Sequence, residues 1–570
     1  MTRESMQTIG EALELRRSSP RGITFLGDEG EIQRWTWGEV AEVAQRAAGA
    51  LSNLGLYPGD RVGILGSTSP DLVATIFGCW ASGLIAVPLA VPLRITSIES
   101  LVEEISSRSK KAGISLLAAD PDVRSLIPLE EIAPQLASFD ELVANGHEVP
   151  IADCDPHSPA LIQFTSGSTA SPKGVALSHR TLISNGHAAA EHVLLGPEDV
   201  AVSWLPLYHD FGLIGLTLWP LVLDMATNLM RPETFIASPK RWVQALSDYK
   251  ATITAAPNFA FGLAARALER MDSVDLSSLR FVGNGAEPVD NETMRKFVEA
   301  AGPSGFRVEA LCGVYGLAEA TLGVSSPPPL APPPPWWVDV HKLASEGIAE
   351  AVEPESNGSR PLVSVGRPIP GVEVQIRTEA GDRIPDGLVG EICVRTEHAM
   401  LGYWDDPAAT ADTVIDGWIR TGDLGVVGPD GLYITGRIKD MIIVGGRNLY
   451  PEDAERAALS VPGVRLGNAV AFGIARKARE GLVVIAETRL HGEDAARLAK
   501  QIATEVRKAM RVAADQVVLL VPGSLPKTPS GKLQRRLTRT LYEAGQFVSN
   551  AVATAGRALG GSGSAPEPAF

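Results

Sequence analysis

Lys173 closes a run of residues whose types suit a phosphate chain: Thr165, Ser166, Gly167, Ser168, Thr169 and Ala170, then Pro172, Lys173 and Gly174. Glycine and small side chains let backbone N–H groups come close to an anion, hydroxyls add donors, and lysine adds positive charge. The run follows Leu161-Ile162-Gln163-Phe164, which reads as a short buried strand, and precedes a second apolar run. A generic Gly/Ser-rich stretch is more often an ordinary surface turn. Nor is this a Walker A loop, whose lysine precedes Ser or Thr; here Gly174 follows Lys173.

Further segments down the chain carry reactive types. Trp204 to Asp210 sets His209 among apolar residues, where a histidine is more often structural or a gate than a base. Gly283 to Pro288 is a glycine turn after a strand, and Tyr315 stands four residues before Glu319. Trp418 to Gly425 reads as a tight turn around Asp423, followed closely by Ile434 to Asp440 with Arg437 and Lys439. Pro526 to Leu533 reads as an exposed loop holding Lys527 and Lys532. Each carboxylate or lysine alone would usually be a solvated surface charge.

The elements that must position these groups follow from periodicity. Ile23 to Leu26 and Gln33 to Thr36 read as a hairpin around Gly30. Trp37 to Leu54 and Pro70 to Ala81 have helical spacing. Arg61 to Leu65, Leu84 to Leu89 and Leu116 to Ala118 read as strands. Strands alternating with helices predict an α/β layered sheet, and the pattern resumes after the glycine loop to about Val324. Pro327 to Pro335 has seven prolines in nine residues, so it is a stiff extended segment rather than helix or central strand. Strand-like segments return at Val363, Val372 to Arg377 and Gly390 to Arg395. A smaller block then runs to about Gly545, with strands at Ala469 to Phe472, Leu482 to Glu487 and Val517 to Leu520 and a helix from Glu493 to Met510. The Ala/Gly/Ser/Pro-rich end is expected to be disordered.

Composition bounds the answer. The 570 residues call for more than one domain. Acidic residues outnumber basic ones, 67 to 51, for a net charge of -16, which excludes the basic footprint of sequence-independent nucleic-acid binding. The longest apolar run, Leu213 to Leu223, is broken by Pro220 and too short to span a bilayer. The N-terminus lacks an apolar signal core. Cys79, Cys154, Cys312 and Cys393 lie far apart and form no metal-ligand pair. A cytoplasmic protein with reduced thiols is expected.

In this order and spacing the segments resemble the adenylate-forming superfamily, which includes acyl-CoA synthetases, nonribosomal adenylation domains and luciferases. The resemblance covers roughly residues 20 to 545. Within it the chain is most similar to the fatty acyl-AMP ligases, through Ser203 to Leu213, Ala256 to Phe261 and Ile443 to Asp453. The stretch from about 327 to 361 stands where those ligases carry an insertion that CoA ligases lack. The fold this implies is α/β: a large N-terminal adenylate-forming domain with layered sheets and helices (1–436, insertion included), a hinge (437–440), and a smaller mobile C-terminal α+β domain (441–545) that carries Lys532. Residues 546–570 would be a disordered tail.

The resemblance also implies a chemistry. A fatty carboxylate attacks the α-phosphorus of ATP to give acyl-adenylate and pyrophosphate, and a thiol then takes the acyl group. Such attack of an anion on a polyanion needs alignment and charge neutralisation more than acid–base work. Thr165, Ser166, Gly167, Ser168, Thr169 and Lys173 would hold the β- and γ-phosphates, and Glu319 with Thr165 would bind Mg2+. Asp423 would hold the ribose hydroxyls, with Arg437 at the ribose or phosphate. Tyr315 beside Gly316 would stack on adenine, and Asn284, Gly285, Ala286 and Glu287 would line the base pocket. Lys532 would bridge the attacking carboxylate and the α-phosphate. His209 would gate or shape the acyl pocket with Phe259 and Phe261, and Lys439 would be the hinge. The expected partners are a fatty acid and the phosphopantetheine arm of an acyl carrier protein or synthase carrier domain, with no nucleic acid and the chain a monomer. Two alternatives are a long-chain acyl-CoA synthetase using free CoA and a non-catalytic acyl-nucleotide-binding protein.

Overall fold

The structure, a computed structural model, describes residues 6–91, 98–129, 132–165, 172–444, 447–475, 480–528 and 531–556. The chain divides into two compact units. The first holds Met1–Trp337, Pro361–Ile434 and Thr528–Lys532; the second holds Val338–Arg360, Thr435–Lys527 and Leu533–Phe570.

The first unit rests on two seven-stranded sheets. One runs Leu311–Gly313, Phe281–Asn284, Ile253–Ala256, Val200–Ser203, Ala226–Met230, Gly22–Gly27 and Gly30–Thr36 across its width. Its strands are parallel until the last, which folds back as the hairpin expected around Gly30. The other runs Gly402–Tyr403, Gly174–Ser178, Pro159–Phe164, Ile85–Leu89, Arg61–Leu65, Leu116–Ala119 and Leu136–Ser138. Here Gly174–Ser178 is antiparallel to Pro159–Phe164, and Gly402–Tyr403 adds an antiparallel edge. Buried parallel strands need apolar residues on both faces, which is why these segments read as unbroken apolar runs.

Local signals place the helices that cover the sheets. Thr36 and Glu39 form a reciprocal capping box that starts Trp37–Asn53. Ser69 accepts from Leu72 N and Pro70 opens the next helix, Pro70–Ala81, most of which is buried. A Cβ at Gly78 would stand 2.6 Å from the Ala47 side chain, so this glycine lets the two helices approach. Two buried indoles tie these helices to the chain around them, Trp37 donating to Met225 O and Trp80 to Ala160 O. A third, antiparallel sheet is built from Val372–Arg377, Gly390–Thr396, Trp418–Gly428 and Gly431–Arg437 with the short Val414–Ile415.

The second unit has a four-stranded sheet, Val464–Ala475, Glu480–Thr488, Gln516–Leu520 and Ala551–Gly556. The helix Gly492–Met510 lays Leu498, Ile502 and Val506 on its core, four residues apart. Boundaries differ from those read along the chain: Thr528–Lys532, expected on the small C-terminal domain, clusters with the first unit, and two further differences concern the second unit. Ala551–Gly556 is a strand antiparallel to Gln516–Leu520 rather than part of a disordered tail. Its small residues lack the bulk that marks a strand in sequence, but backbone pairing along a sheet edge needs only the ladder. The remaining tail, 557–570, lies outside the described residues. The second difference is Val338–Arg360, the later part of the proline-rich insertion, which belongs to the second unit. There Asp339 caps the helix Val340–Glu346 by accepting from His341 N and Lys342 N. Arg360 is buried, pairs with Asp453 at 3.2 Å, donates to Thr435 O and lies 4.8 Å over the Tyr450 ring. Pro327 to Pro335 contains neither helix nor strand, as its composition predicts.

Among the described residues no helix is long and apolar enough to cross a membrane. Cys79, Cys312 and Cys393 are buried, and burial pushes their thiols up, so they are packing groups rather than nucleophiles.

Candidate active site

The strand Pro159–Phe164 delivers the chain into the glycine loop and Gly174–Ser178 takes it out again. Thr165 N donates to Lys173 O at 3.2 Å, which closes the loop at its base. Ser166, Gly167, Ser168 and Thr169 lie outside the described residues. The Lys173 ammonium stands 4.4 Å from the centre of the Tyr403 ring. The Tyr403 hydroxyl donates to Glu319 Oε1 at 2.6 Å.

Glu319 sits on a single turn, Ala318–Ala320, just after the short strand Tyr315–Gly316. Its carboxyl is held above the usual carboxylate range, first by burial and further by the charges of Asp210 and Asp423. Among the described residues Glu319 makes no ion pair, and no three His, Cys, Asp or Glu side chains gather as a metal cluster. A half-buried carboxylate whose acidic neighbours crowd it suits a hard cation that takes few protein ligands and completes its shell with phosphate oxygens and water. The site therefore fits Mg2+.

Tyr315 Oη donates to Asp423 Oδ2 at 2.7 Å, joining the two residues expected at adenine and ribose. Asp423 was expected in a tight turn, but it lies inside the strand Trp418–Gly428. A bulge makes the two descriptions compatible: Glu391 pairs with Leu424 and Cys393 with Arg420, so Thr421, Gly422 and Asp423 stand opposite Ile392. Gly422 takes φ +72 there, and the Thr421 hydroxyl donates to Ile392 O. Gly316 is required for another reason, since a Cβ would stand 2.0 Å from Leu322 O.

The turn from Asn284 to Glu287 packs against Val314, the residue before Tyr315. Val314 N donates to Asn284 O, and a Cβ on Gly285 would meet Val314 O at 2.8 Å. Asn284 Nδ2 donates to Asn258 Oδ1, and Glu287 Oε1 accepts from Phe259 N. Asn284 is fully buried, and its Oδ1 has no hydrogen-bond partner among the described residues. A buried acceptor of this kind is costly unless something supplies a donor. Ala286 holds φ +68, an uncommon conformation for a residue with a side chain.

His209 is better connected than a gate requires. Its Nδ1 lies 2.6 Å from Asp210 Oδ1, and its Nε2 lies 3.2 Å from Lys532 Nζ. The charges of His209 and Lys532 hold the Asp210 carboxyl below its usual range although burial opposes them. Lys532 belongs to the short piece 528–532 that clusters with the first unit, where Gly531 lies against the Phe259 ring. Phe259 and Phe261, both expected at the acyl pocket, have different surroundings. Two residues apart on the helix Asn258–Leu268, they point to different sides. Phe261 is fully buried against Trp242 and Phe297, while Phe259 packs near Trp204.

Arg437 and Lys439 fall in the second unit, Arg437 exposed at the end of Gly431–Arg437 and Lys439 on the turn Ile438–Asp440. Sequence reading missed Tyr403, and it quoted Asp210 and Asn258 within motif segments without giving either a role. Asp210 could have been given one, because it follows His209 directly. Nothing in the local pattern of Leu401-Gly402-Tyr403-Trp404 marks its tyrosine.

Comparison with known proteins bears on this geometry. The family profile for AMP-binding enzymes matches residues 16–404. The long-chain-fatty-acid–AMP ligase FadD26 of Mycobacterium tuberculosis is 34% identical over 541 residues, covering 90% of this chain and 92% of that protein. A protein of Caulobacter vibrioides whose name suggests an acyl-CoA synthetase is 32% identical over 551 residues, covering 95% and 96%. A solved structure from a study of fatty acyl-adenylate ligases of E. coli and L. pneumophila superposes with a TM-score of 0.89 at 30% identity, covering 96% of this chain and 99% of its own.

Proposed function

The chain belongs to the AMP-binding enzyme family and, within it, to the fatty acyl-AMP ligases, and from that premise we propose how its residues divide the reaction. An oxygen of the fatty carboxylate attacks the α-phosphorus of ATP. The bond from that phosphorus to the β-phosphate oxygen breaks, and acyl-AMP and pyrophosphate form. Lys173 and the loop behind Thr165 hold the β- and γ-phosphates. Asp423 accepts from the ribose hydroxyls, Tyr315 lies against adenine, and Asn284 to Glu287 line the base, with Asn284 Oδ1 as the acceptor awaiting a donor. Glu319, with Thr165, holds Mg2+, which neutralises phosphate charge when bound. Lys532 bridges the attacking carboxylate and the α-phosphate, stabilising charge where it develops. The observation that carries this reading is the alignment Lys532–His209–Asp210, which holds an ammonium in one place, with Asp210 also among the charges that bear on the Glu319 carboxyl.

In the second half-reaction a thiol sulfur attacks the acyl carbonyl and AMP leaves. We assign the thiol to the phosphopantetheine arm of a carrier domain rather than to free CoA. Supporting this are the insertion, whose later part, Val338–Arg360, is built into the second unit, and the similarity to a relative named a long-chain-fatty-acid–AMP ligase. Because Arg360 lies buried in that unit, removing all of 327–361 would also remove its buried pairing with Asp453 and destabilise the unit. Only the proline run, 327–335, can be shortened cleanly.

The test is a mass-spectrometric product assay of the purified protein with ATP, Mg2+ and a series of fatty acids, with and without CoA. Accumulation of acyl-AMP with CoA ignored is expected. Acyl-CoA at a comparable rate would make the protein a CoA synthetase, and no adduct with any acid would remove the proposed substrate class.

A further inference from the structure

Tyr403 is absent from every motif that pointed to the site, yet it touches two of the groups on which the site depends. Its side chain is buried. The hydroxyl donates to Glu319 Oε1 and is also hydrogen-bonded by the Thr413 side chain. The ring lies under the Lys173 ammonium at 4.4 Å. The backbone around it makes the same two connections. Met400 N donates to Glu319 O, while Leu401 N and Trp404 N donate to Ala176 O and Gly174 O on the strand that leaves the phosphate loop. Tyr403 N donates to Thr410 Oγ1, so the residue is fixed from a third side.

We propose that Tyr403 is a positioning residue that couples the phosphate-loop lysine to the metal-binding carboxylate, its ring carrying Lys173 and its hydroxyl fixing Glu319. The proposal rests on the assignment of Lys173 and Glu319 made above. The physical reason is division of labour within one rigid side chain. A hydrogen bond to Oε1 fixes the plane of the carboxylate and leaves Oε2 to face a cation, as outer partners orient metal ligands generally. The ring face attracts the ammonium without neutralising it, so the lysine keeps its charge for phosphate. A cation and a phosphate chain that must arrive together then meet two groups whose separation is already set.

Two substitutions separate the two contacts. Tyr403→Phe keeps the ring and loses the hydroxyl; Tyr403→Leu loses both. The readout is ATP affinity of the full chain by calorimetry without fatty acid, once with Mg2+ and once with EDTA. For Tyr403→Phe, affinity with Mg2+ should fall about tenfold, the scale of one hydrogen bond to a charged group, while affinity in EDTA changes less than about twofold. For Tyr403→Leu, affinity in EDTA should also fall, about fivefold, the scale of a cation–π contact. Equal losses with and without Mg2+ in Tyr403→Phe, or no loss in either, would overturn the proposal. Glu319→Gln keeps the two possible failures apart. If it leaves the benefit of Mg2+ intact, the assignment of Glu319 is wrong and the coupling goes with it. If it removes that benefit while Tyr403→Phe does not, only the role of Tyr403 is wrong.

Discussion

Lys532 meets His209 Nε2 at 3.2 Å, and Asp210 orients the imidazole from its other nitrogen. The ammonium therefore waits in one place instead of sampling the rotamers of a long side chain. Lys532→Ala should cut pyrophosphate release by about a hundred- to a thousandfold, the effect of removing one preorganised electrostatic donor, while ATP binding measured by calorimetry stays close to normal. Turnover at the normal rate would show that another group stabilises the transition state. Gly316 makes a prediction of a different kind. The methyl group of Gly316→Ala would collide with Leu322 O, and overpacking of this sort costs about 1–3 kcal/mol. Thermal unfolding should register that loss, and ATP affinity should drop because Tyr315 is the neighbouring residue. Sequence pattern named Lys532, Glu319, Asp423 and Tyr315 by their order along the chain. It was silent on Tyr403 and gave no role to Asn258, whose importance comes from what they touch.

At the scale of elements, the insertion shows how a segment that reads as a tolerated loop can be structural. Arg360 and Asp453 are buried partners in the second unit, 93 residues apart in sequence. Removing one member of a buried pair costs up to about 3–5 kcal/mol, less here because Asp453 keeps Arg456 at 3.1 Å. Arg360→Ala should therefore lower the melting temperature of the full chain, with Arg360→Lys recovering only part because the Tyr450 and Thr435 contacts need a planar guanidinium. An unchanged melting curve would mean that the pair is not formed. The bulge at Thr421 to Asp423 belongs to the same scale. Sequence shows a glycine beside an aspartate and suggests a turn; the register against Ile392 makes it a kink within a continuous strand that aims the carboxylate at Tyr315.

For the whole molecule, a buried histidine links distant parts of the chain. Ile9 N donates to His179 Nδ1, and burial pulls the His179 imidazole down to about 4. Because this value lies below that of an unfolded histidine, about 6.5, the unfolded chain binds more protons between the two. The contribution is thus complete above pH 6.5 and is lost as pH falls towards 4, by about 3 kcal/mol in all. Denaturant unfolding of His179→Gln should show a flatter dependence over that range than the unaltered protein; parallel curves would mean that another group sets the acid limit.

What the amino-acid sequence determined was local and ordered: apolar runs that became parallel strands, caps that began helices, a proline run that could be neither, and reactive residues whose order resembles that of adenylate-forming enzymes. Short-range sterics and hydrogen bonding suffice for such features, so neighbours in sequence carry them. Only the tertiary structure decided which distant groups meet. It set Tyr403 between Lys173 and Glu319, joined His209 to Lys532, drew Val338–Arg360 into the second unit and added Ala551–Gly556 to its sheet. Those outcomes depend on burial and on charges brought together from far apart in the chain, which no window of sequence contains.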